Sequence, residues 1–415
     1  MPAGEGLKDA VRVLAANADF RRLWLASVLS EVGSTLSLVA LPLYIVGDTH
    51  SFVLAGILTT AGFIGTLVIR IPAGFVADRL PRRPVMMAGA VLGALATASV
   101  AGCIVWHPSF QFWLIGVAWA INGFVGASVS TIQSAALRST LPTADVQKGL
   151  AAWQAQYVAT TLIGPLLGGV IFTVAHALPF AIDAMSFLLE LAVLARIQGT
   201  LGGGHNLSVT THEVFRGLGT VVRSSFLRVY AVTNGLINVA SQGMLYGMVF
   251  WMAERGGLSV GASFSILAVG SFFGSLLAVH FKSTRYQALL LFKVLAYALT
   301  GLLGSLVSSP WPIVVMLAAV ALICQPLNIA LASHVMVSVP EGLWGRVQGA
   351  IFLVGSALYP FGAVITGAIA SSWSINASFA FWGLVCGLPL AASLLPSWRL
   401  PREGLRLEPL RSLAG

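Results

Sequence analysis

Apolar residues in this chain run on for about 20 positions at a time and then give way to short clusters of charge, proline and glycine. A run of that length crosses a bilayer as a helix. Splitting the chain at these clusters predicts about twelve spans, at roughly 22–46, 52–77, 84–106, 111–138, 147–174, 178–197, 227–252, 260–281, 286–308, 311–337, 345–370 and 376–398. The runs are continuously apolar rather than alternating with a period of two, which argues against a transmembrane barrel. Because lipid satisfies no backbone hydrogen bond, an all-α integral membrane fold follows. The longest stretch between spans, about 198–226, carries Gly202, Gly203 and Gly204 and then a segment from His212 to Arg223 that reads as an amphipathic surface helix. It divides the spans six and six. The predicted organisation is a tail (1–21), a six-helix half (22–197), a linker (198–226), a second six-helix half (227–398) and a C-terminal tail (399–415).

Composition agrees with a membrane solvent. Hydrophobic residues make up 57% of the 415 and charged residues only 9%, where soluble domains carry about 25% charge; the mean hydropathy is +0.89. Of the 23 Lys and Arg residues, Arg255 alone falls on one side of the scheme and only Arg70 and Lys293 fall within spans away from their first or last two residues. The rest share the other side, which the positive-inside rule makes cytoplasmic. Both termini and the linker are therefore expected in the cytoplasm of a multi-pass cell-membrane protein. The net charge of +9 follows from that topology and from attraction to anionic lipid, with no need for nucleic acid. The polar segment Met1–Phe20 precedes an apolar run too long for a signal-peptide core, so no cleavage is expected.

Chemistry-bearing patterns are few. Cys103, Cys324 and Cys386 sit in spans without metal or disulfide spacing and read as small packing residues. His280 and His334 are isolated, and neither a phosphate-binding G-x-x-x-x-G-K-[ST] loop nor a His-Glu-x-x-His helix occurs. No metal, cofactor or enzymatic activity is expected. What does stand out is the turn Gly74-Phe75-Val76-Ala77-Asp78-Arg79-Leu80-Pro81-Arg82-Arg83-Pro84, which packs charge between two spans, and the small-residue run Gly164-Pro165-Leu166-Leu167-Gly168-Gly169 in span 5. The turns entering spans 5 and 11, Pro142 to Lys148 and Pro340 to Arg346, each place a base six residues after a proline, as an internal repeat would.

The charged turn resembles the G-x-x-x-D-R-x-G-R-R/K signature of the major facilitator superfamily, with Pro81 in place of the usual second glycine. The span 5 run resembles that family's antiporter motif. Phe20-Arg21-Arg22-Leu23-Trp24, Asp183-Ala184-Met185-Ser186-Phe187 and Gly345-Arg346-Val347 are similar to the macrolide-efflux and enterobactin-exporter branch of drug:proton antiporters. The resemblance implies twelve transmembrane helices in two pseudo-symmetric six-helix halves, rocking about a midplane cavity. It also implies a gating motif of Gly74, Asp78, Arg79, Arg82 and Arg83, in which Asp78 and its neighbouring arginines latch the halves on the cytoplasmic side. An antiporter-like motif of Gly164, Pro165, Gly168 and Gly169 would form a flexible seam. Topology alone accounts for Arg82 and Arg83, and ordinary small-residue packing accounts for the glycines.

Ionisable groups inside spans are costly and so are candidates for function. Glu31 lies about 13 Å and Arg70 about 12 Å from the cytoplasmic edge at 1.5 Å per residue, depths that permit a pair; alternatively Arg70 snorkels and Glu31 faces the cavity. Asp183 and Glu190, seven residues apart, share one face of span 6. Dry surroundings and like charge favour the protonated form of a carboxyl, so Glu31, Arg70, Asp183 and Glu190 are the proton-coupling candidates, with Glu31 preferred. Lys293 reads as a snorkelling lysine. Asn234, Asn238 and Gln242 form a stripe at i, i+4 and i+8 on span 7; with Gln154, Gln325 and Asn328 they are the substrate-cavity candidates, beside the aromatic surface of Trp24, Trp119, Trp153, Phe250 and Trp251. The expectation is a monomeric, lipid-embedded secondary transporter that exchanges protons for a hydrophobic or amphipathic small molecule. Alternatives are a siderophore exporter or lysophospholipid transporter and, behind them, an uptake symporter or a non-transporting receptor.

Overall fold

The computed structural model describes residues 12–70, 79–142, 145–199, 201–202, 218–278, 286–339 and 341–393. Its principal helices are α1 (Ala18–Thr49), α2 (Phe52–Arg70), α3 (Arg82–Trp106), α4 (Gln111–Thr140), α5 (Val146–Val174), α6 (Leu178–Leu194), α7 (Ser225–Ala253), α8 (Gly257–Leu277), α9 (Tyr286–Gly304), α10 (Pro310–Ser338), α11 (Glu341–Ser356), α12 (Phe361–Ser372) and α13 (Ile375–Ala392). Eleven segments among the described residues are long and apolar enough to span a bilayer. The twelfth span is α6, whose 17 residues are close to the minimum of about 17 that a bilayer requires.

Span 11, expected as one helix, is divided into α11 and α12. Pro360 has no N–H to continue the ladder, and the chain crosses the gap in turns closed by Tyr359 N–H to Ser356 O (3.1 Å) and Phe361 N–H to Leu358 O (3.0 Å). The Gly355 carbonyl, left without its helical donor, accepts instead from Asn238 Nδ2 of α7 at 2.9 Å. Pro42, Pro165, Pro326 and Pro389 lie inside α1, α5, α10 and α13 without ending them.

The chain resolves into two compact units. The first comprises Met1–His50, Ile57–Ser208 and Met252–Ser265, and the second Ser51–Gly56, Val209–Trp251 and Ile266–Gly415. The first turns of α2 thus belong with the second unit, and the first turns of α8 with the first. Within the first unit, α1 packs most extensively on α6, and α3 lies against both α4 and α6. Leu23, Ala26, Met86, Val125, Ile132 and Phe187 join these four helices in one apolar core. Asn17 caps α1, accepting from Phe20 N–H at 2.9 Å and donating to Thr140 O at 2.6 Å.

In the second unit α9 packs on α10 and α13, and Leu227, Ala231, Leu290, Leu327, Leu331 and Val347 form the core. Residues 218–223 are helical, and Val221 enters this core; the earlier part of the amphipathic segment expected from His212 lies outside the described residues. A buried polar chain ties three helices together. Trp382 Nε1 of α13 donates to Thr366 Oγ1 of α12 at 2.7 Å, and that hydroxyl donates to Gly243 O of α7 at 2.9 Å. Thr366→Val leaves the indole N–H buried and unpaired, a loss of about 1–3 kcal/mol. Thermal unfolding of the purified protein in detergent should shift down for Thr366→Val and hardly at all for Thr366→Ser; an unchanged midpoint in the valine variant counts against this chain as a stabilising element.

Candidate functional site

The first unit holds a polar cluster where α1 meets α6. On α6, Asp183, Ser186, Phe187, Glu190 and Leu194 share a face and all are buried, the two carboxylates completely at 0% exposure. On α1, Ser27, Ser30, Ser34 and Ser37 recur at three- and four-residue spacing, which builds one ridge. Ser34 and Ser37 face the Asp183 carboxyl and Ser30 faces Glu190. Ser186 donates to its own helix at Asp183 O, 2.7 Å away. Gln133 of α4 donates to Glu190 Oε1 at 2.9 Å, and Gln156 of α5 donates to Ser27 Oγ at 2.9 Å. One oxygen of each acid, Asp183 Oδ2 and Glu190 Oε2, is buried without a hydrogen-bond partner. Each is an open acceptor or a place for a proton.

Gly33 makes this approach possible. A Cβ there would collide with Ser186 Oγ and come within 2.6 Å of Asp183 Oδ1 and 2.9 Å of Asp183 Cα. The helices meet almost backbone to backbone, as small residues permit in membranes.

Glu31 stands one position off the serine ridge and is half-buried, and its carboxylate has no hydrogen-bond or ion-pair partner among the described residues. Arg70 is the exposed last residue of α2. The proposed pair between them is not formed: the face of α1 turned to α6 carries serines, and Glu31 lies beside it. The structure instead brings Asp183 and Glu190 together with Gln133 and Gln156. Neither glutamine was distinguished by sequence; Gln154, selected there, is exposed, while Gln156 two residues on is buried.

The span 5 motif has two contact faces within the same unit. A side chain at Gly164 would strike Thr35 of α1, and one at Gly168 would come within 2.8 Å of Leu36 O. On the other face, Gly169 lies against the Gly257 backbone, and a Cβ at Gly261 would sit 2.7 Å from Pro165 O. Ser265 of α8 adds a bond to Leu162 O at 3.0 Å. The seam therefore joins α5 to α1 and to the start of α8.

Of the charged turn, Gly74 and Asp78 lie outside the described residues, and Arg79 precedes the Pro81 cap of α3. Arg83 donates from Nε to Leu194 O at 3.1 Å and from Nη2 to Ala195 O at 2.6 Å. Arg82 reaches Leu201 O at 2.9 Å and Ala135 O at 3.2 Å. Arg83 thus occupies the carbonyl end of α6, where the helix dipole favours a cation, while Arg82 ties α4 to the chain beyond α6. Asp19 holds the adjoining chain by accepting from Gly199 N–H at 2.8 Å and Gln198 N–H at 3.3 Å.

In the second unit Lys293 does not snorkel. It is 4% exposed and donates to Asn234 Oδ1 at 2.7 Å, because Asn234 offers a protein acceptor closer than the membrane surface. Asn238 serves the α11 carbonyl described above, Gln242 is buried, and Asn328 Nδ2 lies 3.4 Å from Gln325 Oε1 on its own helix. Trp119 packs edge-on to Phe180, and Phe250 stacks on Phe52, so these rings are spent in helix packing. No group of His, Cys, Asp or Glu among the described residues is arranged to hold a metal ion.

Residues 23–360 match the family model described as Major Facilitator Superfamily. The chain is 23% identical over 394 residues to the multidrug efflux pump Tap of Mycolicibacterium fortuitum, with 91% of this chain and 94% of the relative covered. It is 23% identical over 391 residues to an uncharacterised MFS-type transporter, y4rN, of Sinorhizobium fredii, with 90% and 93% covered. The solved structure of the nucleoside transporter NupG shares the fold, with a TM-score of 0.71 at 12% identity, covering 92% of this chain and all of that one.

If Gly33 sets the α1–α6 approach, Gly33→Leu should overpack it at a cost of about 1–3 kcal/mol or more. The expected result is a lower unfolding temperature and a reduced folded yield in membranes, with Gly33→Ala intermediate. Wild-type stability in the leucine variant would show that the helices have room to spare.

Proposed function

The chain belongs to the Major Facilitator Superfamily, and we propose that it exports a hydrophobic or amphipathic small molecule in exchange for protons. The coarser statement needs no proposal: it is a multi-pass membrane transporter with a small-molecule substrate, and not an enzyme. The observation that carries the finer reading is the pair of fully buried carboxylates on α6, each with one oxygen lacking a partner. A carboxyl in such a place can exchange a proton only when the helices around it part and admit water, which ties protonation to conformation.

Other observations support the same reading. The relative Tap is a multidrug efflux pump, and the glycine contacts of α5 with α1 and α8 give a surface along which helices slide without side chains interlocking. Alternating access by rocking of the halves 22–197 and 227–398, joined by the linker 198–226, is the motion proposed. In it Asp78 and Arg79 act as the switching charges of the turn, while Arg83 anchors that turn to the end of α6 and Arg82 anchors it to α4 and to the chain beyond α6. Asp183 and Glu190 carry the proton in preference to Glu31, and Arg70 takes a supporting role at the mouth. Asn234, Asn238, Gln242, Gln154, Gln325 and Asn328 contribute polar groups to the substrate path. The protein works as a monomer in the cell membrane, among lipids, with both tails (1–21 and 399–415) in the cytoplasm.

The test is reconstitution in proteoliposomes with a panel of neutral, cationic and anionic amphipathic dyes under an imposed pH gradient. Dye should move against the proton flow. Asp183→Asn and Glu190→Gln should each slow gradient-driven movement at least about tenfold, equivalent to about 1.4 kcal/mol, while leaving gradient-independent dye exchange measurable; Glu31→Gln should cost less. Undiminished proton-driven transport in both α6 variants would remove the dyad from the coupling mechanism.

A further inference from the structure

Lys293 of α9 is a buried cation with no carboxylate partner among the described residues. Between residues 227 and 398 the sequence contains only two acidic residues, Glu254 and Glu341. Glu254 lies in the connection between α7 and α8, and Glu341 is the first residue of α11. No carboxylate therefore belongs to the interior of any span in that half. Around Lys293 the structure places an amide, Asn234, and the thiols of Cys324 on α10 and Cys386 on α13.

An ammonium has three donors, and among the described residues one is used, in the 2.7 Å bond to Asn234 Oδ1. Asn234 cannot turn its amide to do more: its Nδ2 is engaged with Tyr230 O at 2.9 Å. It presents only oxygen to the cation and fixes where that cation points. Next to it on α7, Thr233 is 1% exposed, and its Oγ1 is buried with no partner. Thr233 lines a narrow cleft with Gln287 and Leu290 of α9 and Ser393 at the end of α13; Lys293 does not line it, but stands one helical turn beyond Leu290 on α9.

A buried unpaired cation is expensive to maintain unless something compensates it. A lysine with two donors to spare, and an unpartnered hydroxyl on the residue beside the asparagine that orients it, describe a site suited to an anion. We propose that Lys293, oriented by Asn234 and assisted by the Thr233 hydroxyl, is the recognition point for a carboxylate on the cargo. The transported molecule is then an amphipathic organic monoanion, and permanently cationic drugs are poor substrates. This deepens the exporter reading by naming its substrate class and rests on that reading only for the direction in which the cargo moves.

The experiment measures binding, which is independent of flux and coupling. Detergent-purified full-length protein is titrated at pH 7 with dansylglycine, a fluorescent carboxylate, and in parallel with its methyl ester. The ester is the more apolar of the two, so a site governed by apolar contact alone binds it more tightly. The expected result is the opposite order, with the acid bound at least about tenfold more tightly by the wild type and the order reversed in Lys293→Met. Equal binding of acid and ester, tighter binding of the ester, or no binding of either by the wild type overturns the proposal, and this comparison needs no variant to fold. Retention of the acid preference in a monodisperse Lys293→Met overturns it as well. A wrong transport direction would show only in the vesicle flux and leave these titrations unchanged.

Discussion

The first unit depends on how closely α1 can lie against α6. Gly33 lets the two backbones approach until the Asp183 Cα is within 2.9 Å of where a side chain would begin, and at that distance Ser30, Ser34 and Ser37 of α1 face the two acids of α6, with Gln133 of α4 completing the surroundings of Glu190. In lipid no hydrophobic force holds helices together, so small residues and polar contacts must. The same helix then meets α5 on its next face, through Thr35 and Leu36 against Gly164 and Gly168, and α5 meets α8 through Gly169. Close-packed surfaces of this kind transmit displacement because there is no free volume to absorb it. A shift of α1 away from Asp183 is therefore also a shift against the α5 seam.

The two units handle buried charge in opposite ways. In the first, carboxylates are surrounded by hydroxyls and amides, with an oxygen on each left open. In the second, the spans carry no carboxylate, and the buried Lys293 leans on one amide. Asn238 is a different case, since its amide is consumed by the Gly355 carbonyl that the Pro360 break sets free. A stripe of three amides at helical spacing thus separates into one that orients a lysine, one that repairs a helix end, and one, Gln242, that is buried one turn further along α7.

The spans and their number were legible because hydropathy over 20 residues reports directly on the solvent, and lipid leaves the backbone no alternative to helix. What depended on helical phase or on a partner in another helix was not. Proline does not mark a break by itself: Pro42, Pro165, Pro326 and Pro389 sit inside continuous helices, while at Pro360 a donor from α7 accepts the cost of the gap. Gln154 and Gln156 differ by two positions, or about 200° around the helix, and only packing tells which one faces α1. Lys293 looks like a snorkelling lysine in sequence because its reach to the surface is visible there and its bond to Asn234 is not. The serine ridge was present in the spacing all along; single hydroxyls are common enough in membrane helices that four in phase gain meaning only once two acids are seen opposite them.

The charged turn that announces the fold and the acids buried within it are connected through one element. Arg83 occupies the carbonyls of Leu194 and Ala195 at the end of α6, and Glu190 stands four residues earlier on that helix. Arg82 and Asp19 fasten the chain that follows, at Leu201 and at Gln198 and Gly199. A helix pinned at its carbonyl end is free to tilt chiefly at the other, which is where Asp183 meets Gly33. While Asp78 lies outside the described residues, the arginines of the same turn therefore act as fixed contacts, Arg83 at the end of α6 and Arg82 on the chain after it, rather than as loose surface charges.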